Sequence, residues 1–240
     1  MDYRSQGDTR VTINGSRHYK TPYGALPSVT TILSETQGNK AALERWAKKN
    51  PGGREAAAAR GTKVHSLMEE YLLGIDKDPV IEDKEIAEFW DGLPANLSKL
   101  ENVIWAENPA NVDDYAWTKG SDGISRVWHP GFVKDKHYGW AGAPDIIAVV
   151  NNKLTLADLK TSVRPYSRKW PKDYEKGTKE WRNLLGGYMK FKKTCKQLAA
   201  YDIAIEQTLG MKVQQAAVLV STPERTQTVS YTHLRAHETS

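Results

Sequence analysis

The stretch Trp140–Thr161 constrains this chain more than any other. Two apolar runs, Gly142–Val150 and Leu154–Lys160, flank Asn151-Asn152-Lys153. Apolar runs of that length, bounded by turn-forming residues, read as a β-hairpin. If Asn151-Asn152 form a two-residue loop, Val150 pairs with Lys153 and Asp145 falls opposite Asp158. Directly paired side chains share a face, with Cβ atoms about 4.5–5.5 Å apart. Lys160 lies two residues beyond Asp158 and shares that face. Ile146, Ile147, Val149, Leu154 and Leu156 give the charges a half-buried setting. Two carboxylates that close repel each other unless a cation intervenes. A hard divalent metal resolves the repulsion, and oxygen ligands suit Mg2+ or Mn2+. A three-residue loop would shift the register and part the two acids. Taken alone, Asp158-Leu159-Lys160 equally fits an exposed cross-strand salt bridge.

The rest of the chain reads as mixed helix and strand. Val11–Ile13 and His18–Lys20 flank Asn14-Gly15, a two-residue hairpin signal. Ser28 is placed to cap a helix whose apolar face starts with Val29, Ile32 and Leu33. A second helix is predicted over Asn39–Lys49, with Leu43, Trp46 and Ala47 inward. A third runs from Arg54 to Leu73, with Val64, Leu67, Met68, Tyr71 and Leu72 at spacings of three and four. Helix is also predicted over Asp83–Leu93 and, after Pro94, to Leu100. Val103–Glu107 reads as a strand. Residues 108–137 are polar and turn-rich, an insertion or a loosely packed hairpin. A helix is predicted from about Leu184 to Leu209, stopped by Gly210, and a strand over Val213–Val220. With no repeat and no long linker, one α/β domain accounts for residues 1–230. Its helical N-terminal part covers 26–100, and its core, a mixed central β-sheet flanked by helices, covers 103–222.

Composition narrows the function classes. Eight Trp, eleven Tyr and three Phe supply bulk for a core although only 39% of the chain is hydrophobic. A net charge of +5 (34 basic against 29 acidic residues) suits a polyanionic partner without proving one. The single cysteine, Cys195, excludes a disulfide framework and a Cys-rich zinc or iron–sulfur site, and fits a reducing compartment. No apolar run approaches a membrane span and the N-terminus has no apolar signal core, so no membrane partner is expected. No phosphate-binding loop motif appears, so no nucleotide cofactor is expected.

Other residues gain meaning from their order. His65 borders the apolar stripe of the third helix. Glu107 ends the strand before the hairpin. Gln197 and Tyr201 lie four apart, on one face of the last helix. Each is unremarkable alone. Together, His65, Glu107, Gly142-Ala-Pro-Asp145, Asp158-Leu-Lys160 and Gln197-Leu-Ala-Ala-Tyr201 resemble the RecB-like branch of the PD-(D/E)XK nuclease superfamily. Leu26-Pro-Ser-Val-Thr-Thr-Ile-Leu33, Leu43-Glu-Arg-Trp46, Arg60-Gly-Thr-Lys-Val-His65 and Asp158-Leu-Lys-Thr-Ser162 are similar to the mitochondrial genome maintenance exonuclease group and its phage and bacterial relatives. The similarity spans roughly residues 26–222, apart from the 108–137 region.

That resemblance implies a restriction-endonuclease-like core and a metal-dependent exodeoxyribonuclease acting on single-stranded DNA in replication, recombination or repair. It implies metal ligation by His65, Asp145, Asp158 and the main-chain carbonyl of Leu159. It gives Lys160 the role of positioning or deprotonating the attacking water. Gln197 and Tyr201 would hold the scissile region or brace the lysine, and Glu107 would have an indirect metal role. Ser28 and Thr30, at a helix start, are candidate phosphate contacts, as is Arg60. Residues 164–193 alternate basic and aromatic side chains, among them Arg164, Arg168, Trp170 and Trp181, which suits a DNA path. The first helices, Ser28–Lys49, would form a gateway that admits a single strand. A cytoplasmic location, in a bacterium or its phage, is the corresponding expectation. A structure-specific endonuclease of the same fold and a non-catalytic DNA-binding module are the alternatives. Residues 231–240 resemble a translated adapter, so a non-native tail after a cut near Ser230 is expected there.

Overall fold

The computed structural model describes residues 8–36, 40–111, 113–133, 136–224 and 226–231. Leu43, Trp46 and residues 232–240, on which expectations were placed, lie outside the described side chains or residues. The chain is a mixed α/β fold. In order it forms β1 (Arg10–Ile13), β2 (Ser16–Thr21), β3 (Gly24–Pro27), α1 (Val29–Thr36), α2 (Lys40–Lys49), α3 (Gly53–Leu72), α4 (Lys84–Trp90) and α5 (Pro94–Leu97). Then come β4 (Glu101–Ala106), β5 (Asn108–Pro109), β6 (Val127–His129), β7 (Phe132–Val133), β8 (Lys136–His137), β9 (Trp140–Gly142), β10 (Ile146–Val150), β11 (Lys153–Thr161), α6 (Lys179–Leu209), β12 (Gln215–Ser221) and β13 (Thr226–Tyr231).

The main sheet has six strands in the order β13-β12-β11-β10-β4-β5. All its neighbours are antiparallel except β11 and β12. Parallel neighbours need a crossover, and α6 supplies it. The β10–β11 register is the expected one, with Val150 against Lys153 and Ile146 against Ala157. Asn151 and Asn152 both have left-handed backbones (φ 51° and 59°), as a type I′ turn requires. The ladder ends at Ile146, one residue short of Asp145. The single strand expected over Gly142–Val150 is instead two. Pro144 cannot donate to a ladder, so β9 peels away to pair with β6 while β10 stays in the main sheet.

Alternation along the central strands sorts the side chains into two cores. Ile147, Leu156, Ala216, Val218 and Val220 point toward Phe191, Leu198 and Ile205 of α6. Ile146, Ala157, Leu159, Ala217 and Leu219 point toward Val64, Leu67 and Met68 of α3 and Phe89 and Trp90 of α4. The strands are therefore covered on both faces, which explains their continuous apolar runs. Each fully buried Leu or Ile contributes about 1.5–3 kcal/mol, so α3 and α6 clamp the sheet from opposite sides.

Helix limits follow their caps. The Asp83 carboxylate accepts from the N–H groups of Glu85 and Ile86 and starts α4. Thr178 caps Trp181 N–H at 3.2 Å, so α6 begins five residues before the expected Leu184. Gly210, with φ 70°, ends α6 where expected.

Two expectations are corrected. The N-terminal hairpin is a three-strand meander, its turn at Asn14-Gly15 as expected and a third strand, β3, added. Within the 108–137 region, the segment from Thr118 to Trp128 packs against the fold rather than lying loose. Thr118, Ser125, Arg126, Val127 and Trp128 are buried in it. Trp128 joins Tyr19, Leu26 and Ala141 in a third core beneath the N-terminal sheet. Buried Arg126 donates through Nε to Lys20 O (2.6 Å) and through Nη1 to Thr118 O. A buried cation satisfied by backbone carbonyls leaves no hydrophobic periodicity to read, which is why the segment looked like a polar insertion.

Candidate metal centre

The polar residues converge at one end of the main sheet, where β11 ends and β10 begins. Asp145 is set there by three contacts. Its carbonyl accepts Glu107 N–H at 2.6 Å, and its Oδ2 accepts Leu159 N–H at 2.7 Å. Trp105 Nε1–H, fully buried, donates to Pro144 O at 2.9 Å and anchors the preceding residue. Asp145 thus completes with its side chain the ladder that the backbone abandons.

His65 approaches from α3, one residue past buried Val64. Its Nδ1 lies 2.5 Å from Glu107 Oε1 and 3.9 Å from Asp145 Oδ2. Its Nε2–H donates to Leu159 O at 3.1 Å. Glu107 follows β4 with φ 56°. A left-handed glutamate costs of order 1–3 kcal/mol and recurs at functional sites. Here it accompanies the turn at the strand's end, where the carboxylate meets the imidazole.

Asp158 reaches the site from the other sheet face. It is 1% exposed, and its Oδ1 accepts Gln197 Nε2–H at 2.8 Å. Its Oδ2 lies 2.5 Å from Lys160 Nζ but takes no well-directed hydrogen bond. Gln197 Nε2 is also 3.4 Å from Tyr201 Oη. Tyr201 packs on Gly142, where a Cβ would come 2.4 Å from its ring, so the close approach requires glycine.

The electrostatics follow from crowding acids in a buried place. Burial pushes His65 down, but the Asp145 charge and the Glu107 hydrogen bond and charge outweigh it and raise it to about 9. Burial raises Asp158 to about 6, opposed by Lys160 and reinforced by Asp145. Burial also raises Asp145, opposed by His65 and reinforced by Glu107. Lys160 is held above the usual lysine range: burial opposes this, but Asp158 and Asp145 prevail. Without a metal, this lysine is therefore held in its charged form against Asp158.

His65, Glu107 and Asp145 offer ligand atoms within 4.8 Å of one another. One imidazole nitrogen, two carboxylates and the adjacent Leu159 carbonyl form a donor set that could hold a divalent cation. The grouping contains His65 and Asp145 of the expected ligands. Glu107 belongs to the cluster directly, whereas Asp158 is engaged by Lys160 and Gln197. Gln197 braces Asp158, which in turn lies against the lysine.

The expected DNA contacts divide. Ser28 is 2% exposed. Its Oγ accepts Thr31 N–H at 3.0 Å and its own N–H donates to Arg17 O, so it is the N-cap that its position predicts. Thr30 Oγ1 bonds with Ser28 Oγ at 3.0 Å. Arg60 lies on α3 against α4. It pairs with Glu85 at 2.5 Å and stacks over Phe89, engaged with α4 rather than with the site. Arg164 is exposed and bonds to Asn183, Arg168 is exposed, and Trp170 is 52% exposed against the Tyr188 ring. Trp181 is half-buried in the first turn of α6.

His65 and Glu107 line an open cleft of about 450 Å³ with Arg10, Arg17, Thr62 and Glu69. Neither arginine was singled out from sequence. The Asn14-Gly15 turn puts both on one face of the hairpin, but nothing local says that this face overlooks the cleft.

No protein-family model matches the chain, and no curated protein matches it. Among solved structures it is similar to one titled "Crystal structure of SSO0001", with a TM-score of 0.27 and 13% identity, covering 71% of this chain and 78% of that one. A likeness at that score carries no functional information. No helix among the described residues is long and apolar enough to cross a membrane.

Proposed function

We propose that the chain is a metal-dependent DNA exonuclease of the RecB-like PD-(D/E)XK type, with a restriction-endonuclease-like core and a preference for single strands. The observation that carries this reading is the meeting of His65, Glu107, Asp145, Gln197 and the β11 pair Asp158 and Lys160 at one sheet end. His65, Glu107 and Asp145, with the Leu159 carbonyl, would hold Mg2+ or Mn2+. When bound, such an ion offsets phosphate charge and lowers the pKa of its water.

The protein's own groups do the rest. Asp158 holds the Lys160 ammonium in place, and Gln197 holds Asp158. Lys160 then presents a fixed positive charge and N–H donors where negative charge develops on the phosphorus oxygens. Burial around Asp158 limits water, which strengthens that interaction. Arg164, Arg168 and Trp170 are exposed on the segment after β11, suited to phosphates and to stacking on unpaired bases. α1 and α2 would form the gateway for a single strand.

The test is one gel. End-labelled linear single-stranded DNA and a single-stranded circle are incubated with the protein in manganese or EDTA. Metal-dependent loss of the linear strand alone is expected, reduced at least a thousandfold in Asp158→Ala and Lys160→Ala. Opening of the circle would make the protein an endonuclease. Binding of the linear strand without cleavage would make it a DNA-binding module.

A further inference from the structure

The arginines of the N-terminal hairpin occupy an unusual position. Pairing sets Arg10 against Tyr19 and Thr12 against Arg17, so Arg10, Arg17 and Tyr19 share one face. That face is the inward one, since Tyr19 is 5% exposed and packs in the third core with Trp128 and Ala141. Yet both arginines are exposed, because the cleft over His65 and Glu107 opens beside them. Among the described residues neither guanidinium forms a salt bridge, although Glu69 and Glu107 line the same cleft. The Tyr19 phenol on the same face feels the charges of Arg17, Arg10 and Glu107. The main chain beneath is fixed: Arg17 O accepts Ser28 N–H at 2.9 Å, and Arg10 N–H donates to Asp122 Oδ2 at 2.9 Å.

We propose that Arg10 and Arg17 form a phosphate-binding subsite that holds the nucleic-acid strand against the His65–Glu107 side of the centre. Two guanidiniums on one concave wall, rigid at the backbone and without a salt-bridge partner among the described residues, match the forked recognition of phosphate oxygens. The inference rests on the nuclease reading and deepens it. A strand phosphate would then be held at this wall while Lys160 addresses the site from the β11 side. A terminal phosphomonoester and an internal phosphodiester share this chemistry.

The test measures binding apart from cleavage. Fluorescein-labelled oligothymidylate, with and without a 5′-phosphate, is titrated against Asp158→Ala protein by anisotropy at several salt concentrations. Adding Arg10→Ala and Arg17→Ala together is expected to weaken binding at least tenfold. It should also lower the slope of log K against log salt by about 1.4, the value for two lost single-strand phosphate contacts. Arg10→Lys with Arg17→Lys should keep most of the slope. Loss confined to the phosphorylated strand assigns the subsite to a chain end, and equal loss assigns it to an internal phosphate. Both variants should melt like their parent, since the side chains are exposed. Unchanged affinity and slope in the double alanine variant would overturn the subsite, while wild-type cleavage on the gel would leave the nuclease reading standing. Absence of any oligothymidylate binding by the parent, with no cleavage by wild type, would overturn both.

Discussion

At His65 two opposing effects meet, and their balance has a measurable sign. Burial favours the neutral ring, but Asp145 and Glu107 win and lift it to about 9 from an ordinary 6.5. A raised folded-state value means that the contribution to stability is fully present below about 6.5 and is lost as pH climbs through 9. In metal-free protein, melting temperature should therefore fall between pH 6.5 and 9, and His65→Gln should flatten that part of the profile. Melts in EDTA across that range decide it; an unchanged profile in the variant would show that His65 is not charged. Because a cation must displace the proton, affinity for Mn2+ should rise over the same interval. The residue types were legible from the chain, their protonation was not. Spacing put His65 on the right helix and Lys160 beside Asp158, but a pKa depends on burial and on charges distant in sequence.

At the scale of elements, the hairpin was the most legible part. A two-residue Asn-Asn loop and strict alternation leave one register, and β10–β11 adopts it. What alternation could not reveal is the break at Pro144, because β9 and β10 are both apolar and differ only in partner. The break creates a close approach of Gly142 to Tyr201 that no local pattern encodes. Gly142→Ala places a methyl 2.4 Å from the ring and should cost about 1–3 kcal/mol as the tyrosine shifts. Tyr201→Leu on top of it should recover part of the loss, a non-additivity read by denaturant melts of the two single variants and the pair. Strictly additive effects would mean that the two do not press on each other. Helix limits followed their caps: Asp83 was readable as the start of α4, whereas Thr178 was hidden in a basic, aromatic stretch.

Across the whole molecule, α3 and α6 reach the same sheet end from opposite faces. His65 comes from one, Gln197 from the other, and between them lie Glu107, just after β4, and Asp145, just before β10. A cation bound by His65, Glu107 and Asp145 would cross-link α3 to two strands of the sheet. At about a hundred times its Kd it should stabilise the fold by about 2.7 kcal/mol. Mn2+ should accordingly raise the melting temperature of wild type and leave Asp145→Asn unmoved. An equal rise in both proteins would place the ion elsewhere.

The sequence by itself determined the α/β class, the hairpin register, the helix-borne histidine and the candidate acids, because these depend on periods of two and 3.6 residues and on turn chemistry. The tertiary structure alone decided that Glu107 joins His65 and Asp145 while Gln197 braces Asp158. It also decided that Arg60 engages α4 and that Arg10 and Arg17 wall the cleft. Those outcomes depend on which elements pack against which face, and the energy of such contacts comes from groups tens of residues apart. No local pattern carries that information.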